Sequence, residues 1–404
     1  MSSSGRDPRM IARVSVLIPT YNRAALLAQA LEACRRQTRP ADEILVVDDG
    51  STDATAGVLA AWAGPGRVVL RQVNGGKAAA LNRGLAAASG DAVLVLDDDD
   101  LLPPGALAHH AAALAAAPAA GFSYGRYARF TGESAPTAAP TDVEPIDRRD
   151  PRRLHLRLID HDFLPNPAWM ARRSALAQVG GYDEALARSQ DFDMILRLAR
   201  AVPAAPVDAV VLWQRVHRSL RGRGAERAAA VHTTALWAKY DAIMMVGLDR
   251  RWSDEDYQPL ERPESTDPRP ALLQRAVSNF VRKNYDGALV HFRRAAPLWA
   301  ARPPDALELR IAASLLSSAH GVGELWGDRR DVLEALARCG LPASVRRAMA
   351  YPLRWRLRAA LAAGDLAGAL GLRRISVEGL SVGLTTLATT RRPEWPTATG
   401  APRA

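Results

Sequence analysis

Two short acidic runs hold most of the chemistry this chain could perform. In Leu96–Pro103 four carboxylates, Asp97, Asp98, Asp99 and Asp100, follow directly on an apolar stretch. Adjacent negative charges raise one another's pKa, a cost that a divalent cation would relieve. Hard oxygen ligands of this kind suit Mg²⁺ or Mn²⁺, ions that in turn bridge phosphate oxygens. A helix N-cap ahead of Pro103 and Pro104 would need one aspartate, and four overshoot it. The second run, Asp48-Asp49-Gly50-Ser51-Thr52-Asp53, also follows apolar residues. Its glycine and serine suit a tight strand-to-helix turn, and Ser51 or Asp53 can cap the next helix. Asp48 and Asp49 exceed that structural need. A carboxylate at a strand's carboxyl end can accept a hydrogen bond from a nucleobase N–H or a ribose hydroxyl.

The elements that must position these runs alternate in type. Val14–Ile18, Ile44–Val47, Val68–Leu70 and Ala92–Leu96 are apolar on consecutive positions, as expected for strands buried on both faces. Helices are expected between them, at Leu26–Cys34 with apolar positions 27, 30, 31 and 34, at Ala54–Trp62 and at Lys77–Ala88. Such alternation predicts an α/β fold, a mostly parallel sheet with flanking helices, whose ligands sit beyond the carboxyl ends of the strands. Thr131–Pro151 reads as a loop. After it come Phe163–Met170, helices near Ser174–Val179 and Asp191–Ala201, and a last strand at Val207–Trp213. Gln258–Pro270, with four prolines, reads as a linker, and the remainder is helical in period. The expected organisation is a tail over 1–13, an α/β domain over 14–225, a helical segment and linker over 226–270, an all-α domain over 271–388 and a tail over 389–404. Asn284–Ala295 and Ala363–Ala369 resemble the helix-turn-helix spacing of tetratricopeptide repeats, against the plainer reading of an irregular helical bundle.

At 404 residues, 48% hydrophobic and 24% charged, the chain has room for about two packed domains. The formal charge of +10, with Arg215, Arg218, Arg221 and Arg223 close together, permits an anionic partner. A nucleic acid is not expected, because no zinc-ligand spacing or aromatic-basic strand accompanies the charge; a pyrophosphate or the inner membrane surface accounts for it. Two distant cysteines, Cys34 and Cys339, suit a reducing compartment. With a polar Met1–Arg13 and no apolar run of membrane-spanning length, a cytoplasmic location is expected, peripheral at the membrane if attached at all.

Five motifs in register make a specific resemblance. Val14–Arg23, with Pro19-Thr20-Tyr21-Asn22, is followed by Val47–Asp53, by Gly76-Lys77-Ala-Ala-Ala-Leu81-Asn82-Arg83-Gly84, by Leu96–Asp100, and by Ser189-Gln190-Asp191. Together they resemble a family 2 glycosyltransferase of the inverting GT-A class, over about Val14–Ser219. That resemblance implies a nucleotide-sugar donor, a UDP-sugar in the first instance, and Mn²⁺ or Mg²⁺ on its diphosphate. It implies Pro19, Thr20 and Tyr21 lining the base pocket beside Asn22, Asp49 bonded to the base with Asp48 in support, and Lys77 near base or diphosphate. Asp97 and Asp98 fall where the family contacts ribose and metal, and Asp99 is the expected metal ligand with Asp97. Leu81 stands where many members carry an arginine before Asn82, and Arg83 is the expected substitute. Gln190 replaces the first acid of the family's acidic pair, which leaves Asp191 as the general base. His217 resembles the histidine that closes over the metal, and Arg215 and Arg218 would offset the departing diphosphate. Gly180-Gly181-Tyr182-Asp183 fits the acceptor-side turn. The acceptor is expected to be a glycan, a lipid-linked glycan or a small molecule, with the helical third open to protein contacts. Two other readings compete. A sugar nucleotidyltransferase would open with a glycine-rich loop after its first strand, where this chain has Pro19–Asn22. An inactive scaffold would have lost the acidic residues.

Overall fold

The structure, a computed structural model, describes residues 11–136, 138–143, 153–161, 164–216, 220–221, 228–229, 234–316, 323–326, 328–376, 380 and 382. The chain divides into two compact units, Met1–Leu236 and Trp237–Ala404.

The first unit is built on one mixed sheet. Its centre is β1 (Val14–Thr20), buried along its whole length and paired in parallel with β2 (Glu43–Asp48) on one side and β4 (Ala92–Val95) on the other. Runs of β-branched and aliphatic residues with no polar alternation fit a strand covered on both faces. The strand β3 (Arg67–Arg71) lies at the sheet's edge, and its residues alternate between exposed and half-buried. The expectation of burial on both faces fails there: Val69, in the middle of the expected run, is exposed on the same side as Arg67 and Arg71, the open face of an edge strand. Helices α1 (Ala24–Arg35), α2 (Thr55–Trp62) and α3 (Lys77–Ala87) make the crossovers. Helix α1 buries Leu27, Ala30, Leu31 and Cys34, the stripe its 3.6-residue period requires. Gly84 of α3 lies so close to Leu17 that an added Cβ would stand 2.1 Å from its Cδ1, so the helix packs tightly on β1.

Past β4 the sheet changes direction. After α4 (Ala106–Ala116) come β5 (Phe122–Thr131) and β6 (Asp142–Val143), then α5 (Leu154–His161), β7 (Trp169–Arg172), α6 (Arg173–Val179), α7 (Gln190–Ala201) and β8 (Ala204–Val216). Strand β7 runs antiparallel to both β4 and β5, while β8 runs parallel to β5 with register shifts on either side of Arg126. The stretch expected as a loop therefore carries a short strand, β6, antiparallel to β5. Residues 11–13 of the expected tail are also held, since Ala12 and Arg13 donate backbone N–H groups to Asp91 Oδ2 at 3.1 and 2.9 Å. Strands β9 (Leu220–Arg221) and β10 (Ala228–Ala229) pair with each other.

The second unit is helical: α8 (Thr234–Arg251, entering it at Trp237), α9 (Pro268–Val281), α10 (Tyr285–Ala295), α11 (Ala306–Ala313), α12 (Arg330–Ala337), α13 (Ala343–Ala350), α14 (Leu353–Ala362) and α15 (Leu366–Arg374). Phe280, Phe292, Leu273 and Met349 are among its core residues. Gln258–Pro270, expected as a linker, is pinned inside this unit: Arg262 pairs with Asp305 at 2.8 Å, and Asp267 caps α9 by accepting from Arg269 N. The two repeat-like segments each form a helical hairpin, with Asn284 capping α10 and Asp365 capping α15. Helices α11 to α13 separate them along the chain, so they are not successive repeats. Among the described residues no helix is long and apolar enough to cross a membrane.

Candidate functional site

The carboxyl ends of β1, β2 and β4 converge, and polar cross-links fix the loops that leave them. Asn22 adopts a left-handed conformation, φ 54°, which Asn tolerates better than most residues. Its Oδ1 accepts from Thr52 N at 2.7 Å and Asp53 N at 3.3 Å, and its own N–H donates to Ser51 Oγ at 2.9 Å. The side-chain oxygen of Asn22, expected to face substrate, is thus committed to locking the first motif to the second. Asp49 accepts from Gln72 Nε2 at 2.8 Å, Gly75 N at 2.7 Å and Gly76 N at 2.8 Å. Three of the roughly four lone-pair sites of a carboxylate are filled, and the bonds hold the glycine turn that starts α3. Asp48 accepts from Ser51 N at 2.8 Å and stands 3.4 Å from Arg71 Nε. Pro19 and Thr20 are buried, whereas Tyr21 is 45% exposed and offers an open aromatic face beside these loops.

The acidic run after β4 lies against the cations of α3 and of the β1 loop. Lys77, first residue of α3, pairs with Asp97 at 2.7 Å. Asp98 accepts from Thr20 Oγ1 at 2.7 Å and from Arg23 Nη1 at 3.1 Å. The same Nη1 reaches Asp99 Oδ2 at 2.7 Å. Asp100 accepts from the backbone N–H of Arg215 at 2.8 Å. Burial pushes the Asp98 carboxyl up to about 6, with Arg23 opposing the shift and Asp99 adding to it. Burial alone would lower Lys77, but the charges of Asp97 and Asp191 hold it above its ordinary value. Oxygens of Asp97, Asp99 and Asp100 lie within 4.8 Å of one another. That all-carboxylate set fits a hard divalent ion such as Mg²⁺ or Mn²⁺.

Asp191 opens α7 behind Ser189, itself left-handed at φ 59°. Burial pushes its carboxyl upward, Lys77 pulls it back and Asp97 adds to the rise. Asp191 therefore shares one electrostatic neighbourhood with the acidic run, though 94 residues separate it from Asp97. Gln190 is 7% exposed and its Oε1 is buried without a hydrogen-bond partner among the described residues. Asn82, expected at the substrate, braces the turn instead: Oδ1 accepts from Tyr182 N at 2.7 Å and Nδ2 donates to Tyr182 O at 2.9 Å. The space is so tight that a Cβ at Gly181 would stand 2.6 Å from Asn82 Oδ1. The Tyr182 hydroxyl donates to Asn166 Oδ1 at 3.0 Å.

Two further cations were expected at the diphosphate. Arg215, 3% exposed, donates from Nε to Asp99 O, from Nη1 to Gly132 O and from Nη2 to Gln29 Oε1, and stacks on Phe130. Its guanidinium is engaged as a strut between β8 and the neighbouring loops, against the backbone of the acidic run. Arg83 is exposed, on a helix whose Lys77 end meets the acidic run, and makes no polar contact among the described residues. His217 and Arg218 lie outside the described residues. Sequence reasoning missed Arg23, whose one signal was its place directly after Pro19–Asn22 at the tip of β1.

A family model described as glycosyl transferase family 2 matches residues 15–180. The chain is 42% identical over 92 residues to the undecaprenyl-phosphate 4-deoxy-4-formamido-L-arabinose transferase of Serratia proteamaculans, covering 21% of this chain and 28% of that one. It is 39% identical over 83 residues to a PGL/p-HBAD biosynthesis glycosyltransferase of Mycobacterium bovis, covering 20% and 32%. The chain thus spans about a third or less of the curated relatives it matches. Among solved structures, S. aureus TarS 1-349 in complex with UDP-GlcNAc superposes with a TM-score of 0.51 at 16% identity, covering 90% of each chain, a likeness of fold.

Proposed function

Over residues 15–180 the chain belongs to glycosyl transferase family 2, and from that premise we propose that it moves a sugar from a nucleoside-diphosphate donor to an acceptor hydroxyl with inversion. The observation that carries this reading is the convergence of Asp97, Asp99 and Asp100 with Lys77 and Asp191 at the strand ends. A divalent ion held by those carboxylates would supply positive charge against the donor's diphosphate. The chain's own residues do the rest. Tyr21, beside Pro19 and Thr20, offers the base a stacking face, with Asp48 and the remaining lone pair of Asp49 as acceptors. Lys77 and Arg23 place cations where the leaving diphosphate gains charge. Asp191 takes the proton of the acceptor hydroxyl as its oxygen bonds to the anomeric carbon and the bond to the diphosphate breaks. Its raised pKa makes it a better base than an ordinary surface carboxylate. Because only the deprotonated form serves, activity falls at acid pH, through a limb above the usual carboxylate range.

The retained acidic residues count against a scaffold role, and Pro19–Asn22 in place of a glycine-rich loop counts against a nucleotidyltransferase. A UDP-sugar is the first donor to try, with GDP-mannose beside it. The assay measures release of free nucleoside diphosphate with Mn²⁺ and a panel of glycan and lipid acceptors. Asp191→Asn should lower transfer by roughly 10²–10⁴-fold while donor affinity stays. Unchanged turnover in that variant would remove Asp191 from the mechanism.

A further inference from the structure

The hairpin of α14 and α15 has an outer face that the other described residues of its unit leave open to water. Inward, Leu353, Leu372 and Ile375 join the core, with Leu357 packed against it. Outward, Trp355 is 59% exposed, Leu361 54%, Leu366 68% and Leu370 59%. No leucine or tryptophan elsewhere among the described residues is exposed to this degree. The spacing is helical: Trp355 and Arg358 share one face of α14, and Leu366, Leu370, Arg373 and Arg374 share one face of α15. The Arg358 guanidinium stacks on the Trp355 ring at 5.4 Å.

The charge around this apolar stripe has one sign. The hairpin itself, Leu353–Arg374, carries five arginines and a single acid, Asp365. The carboxylate of Asp365 is already occupied, accepting from Gly368 N at 2.8 Å to cap α15. A second copy of the same face would bring like charges together, and a nucleic acid would meet the arginines but leave the leucines in water. An anionic bilayer satisfies both, with phosphates for the guanidinium groups and the acyl boundary for Trp355, Leu366 and Leu370. We propose that the α14–α15 hairpin is a docking surface for an anionic lipid bilayer, an inference that does not rest on the transferase reading.

The test is cosedimentation of the full chain with vesicles of phosphatidylcholine alone or enriched in phosphatidylglycerol. The expected result is binding to the anionic vesicles only, weakened by salt. Leu366→Ser with Leu370→Ser, and separately Arg358→Gln with Arg373→Gln and Arg374→Gln, should each reduce the partition coefficient by at least about tenfold. These side chains are exposed, so thermal melting should stay as in the parent chain. The proposal fails if anionic vesicles do not bind the chain or neutral vesicles bind equally, or if both variants keep their binding. A concentration-dependent dimer dissolved by the serine variant in the absence of vesicles would also overturn it.

Discussion

Replacing Asp98 by asparagine should make the metal-free chain more stable at neutral pH and leave it unchanged in acid. The Asp98 carboxyl lies against Thr20 and Arg23, and burial lifts its pKa from 3.8 to about 6. The folded chain therefore keeps this proton across a window, about pH 4 to 6, in which the unfolded chain has lost it. The contribution to stability is whole below about pH 4 and is lost as pH rises through about 6. A difference of about two pKa units, at about 1.4 kcal/mol each, amounts to roughly 3 kcal/mol at pH 7.5. Asparagine keeps the shape, and the Thr20 hydroxyl can accept from its amide. Urea unfolding of parent and variant in EDTA, at pH 4.5 and 7.5, reads the effect, because the groups remote from Asp98 titrate alike in both. The expected outcome is near-equality in acid and a gain of up to about 3 kcal/mol for Asp98→Asn at pH 7.5. A variant less stable than the parent at pH 7.5, or a difference independent of pH, would refute the reasoning.

Arg23 holds oxygens of both Asp98 and Asp99, so Arg23→Gln should tighten Mn²⁺ binding in the absence of nucleotide. A unit charge about 4 Å away is worth about 1 kcal/mol in water and about 4 kcal/mol nearer the interior; calorimetry should show a gain of about tenfold, and equal or weaker affinity would count against competition. Gly84→Ala improves helix propensity by up to about 1 kcal/mol. Its new methyl, however, meets Leu17 in the core, an overpacking that costs about 1–3 kcal/mol, so chemical denaturation should report a net loss; a stabilised variant would mean that Leu17 has room to move.

How much of this could be read from the sequence depended on whether a residue's partners lay nearby in the chain. Strands β1, β2 and β4 were legible because central parallel strands are covered on both faces and write unbroken apolar runs. Strand β5 was not, since Gly125, Arg126 and Arg129 interrupt its apolar pattern and pairing with β7 and β8 stabilises it as a strand. The acidic runs were legible as chemistry because four adjacent carboxylates have no economical structural use. Their partners were not. Arg23 reaches Asp99 across 76 positions, and the backbone N–H of Arg215 reaches Asp100 across 115. Arg215 looked like a phosphate ligand by charge alone, and its use on carbonyl groups depends on where β5, α1 and β8 come together. Asn22 and Asn82 were found as motif members, while their loop-bracing hydrogen bonds emerge only from the folded geometry.

In the proposed function the carboxylates beyond β4 collect a divalent ion and, through it, a nucleoside diphosphate. Calorimetric titration of UDP, with GDP in parallel, into the metal-stripped chain tests it with and without Mn²⁺. Nucleotide binding should weaken at least about tenfold in EDTA, and as much in Asp99→Ala with Mn²⁺ present. Equal affinity with and without the ion, or an Asp99→Ala variant that binds nucleotide as the parent does, would contradict it.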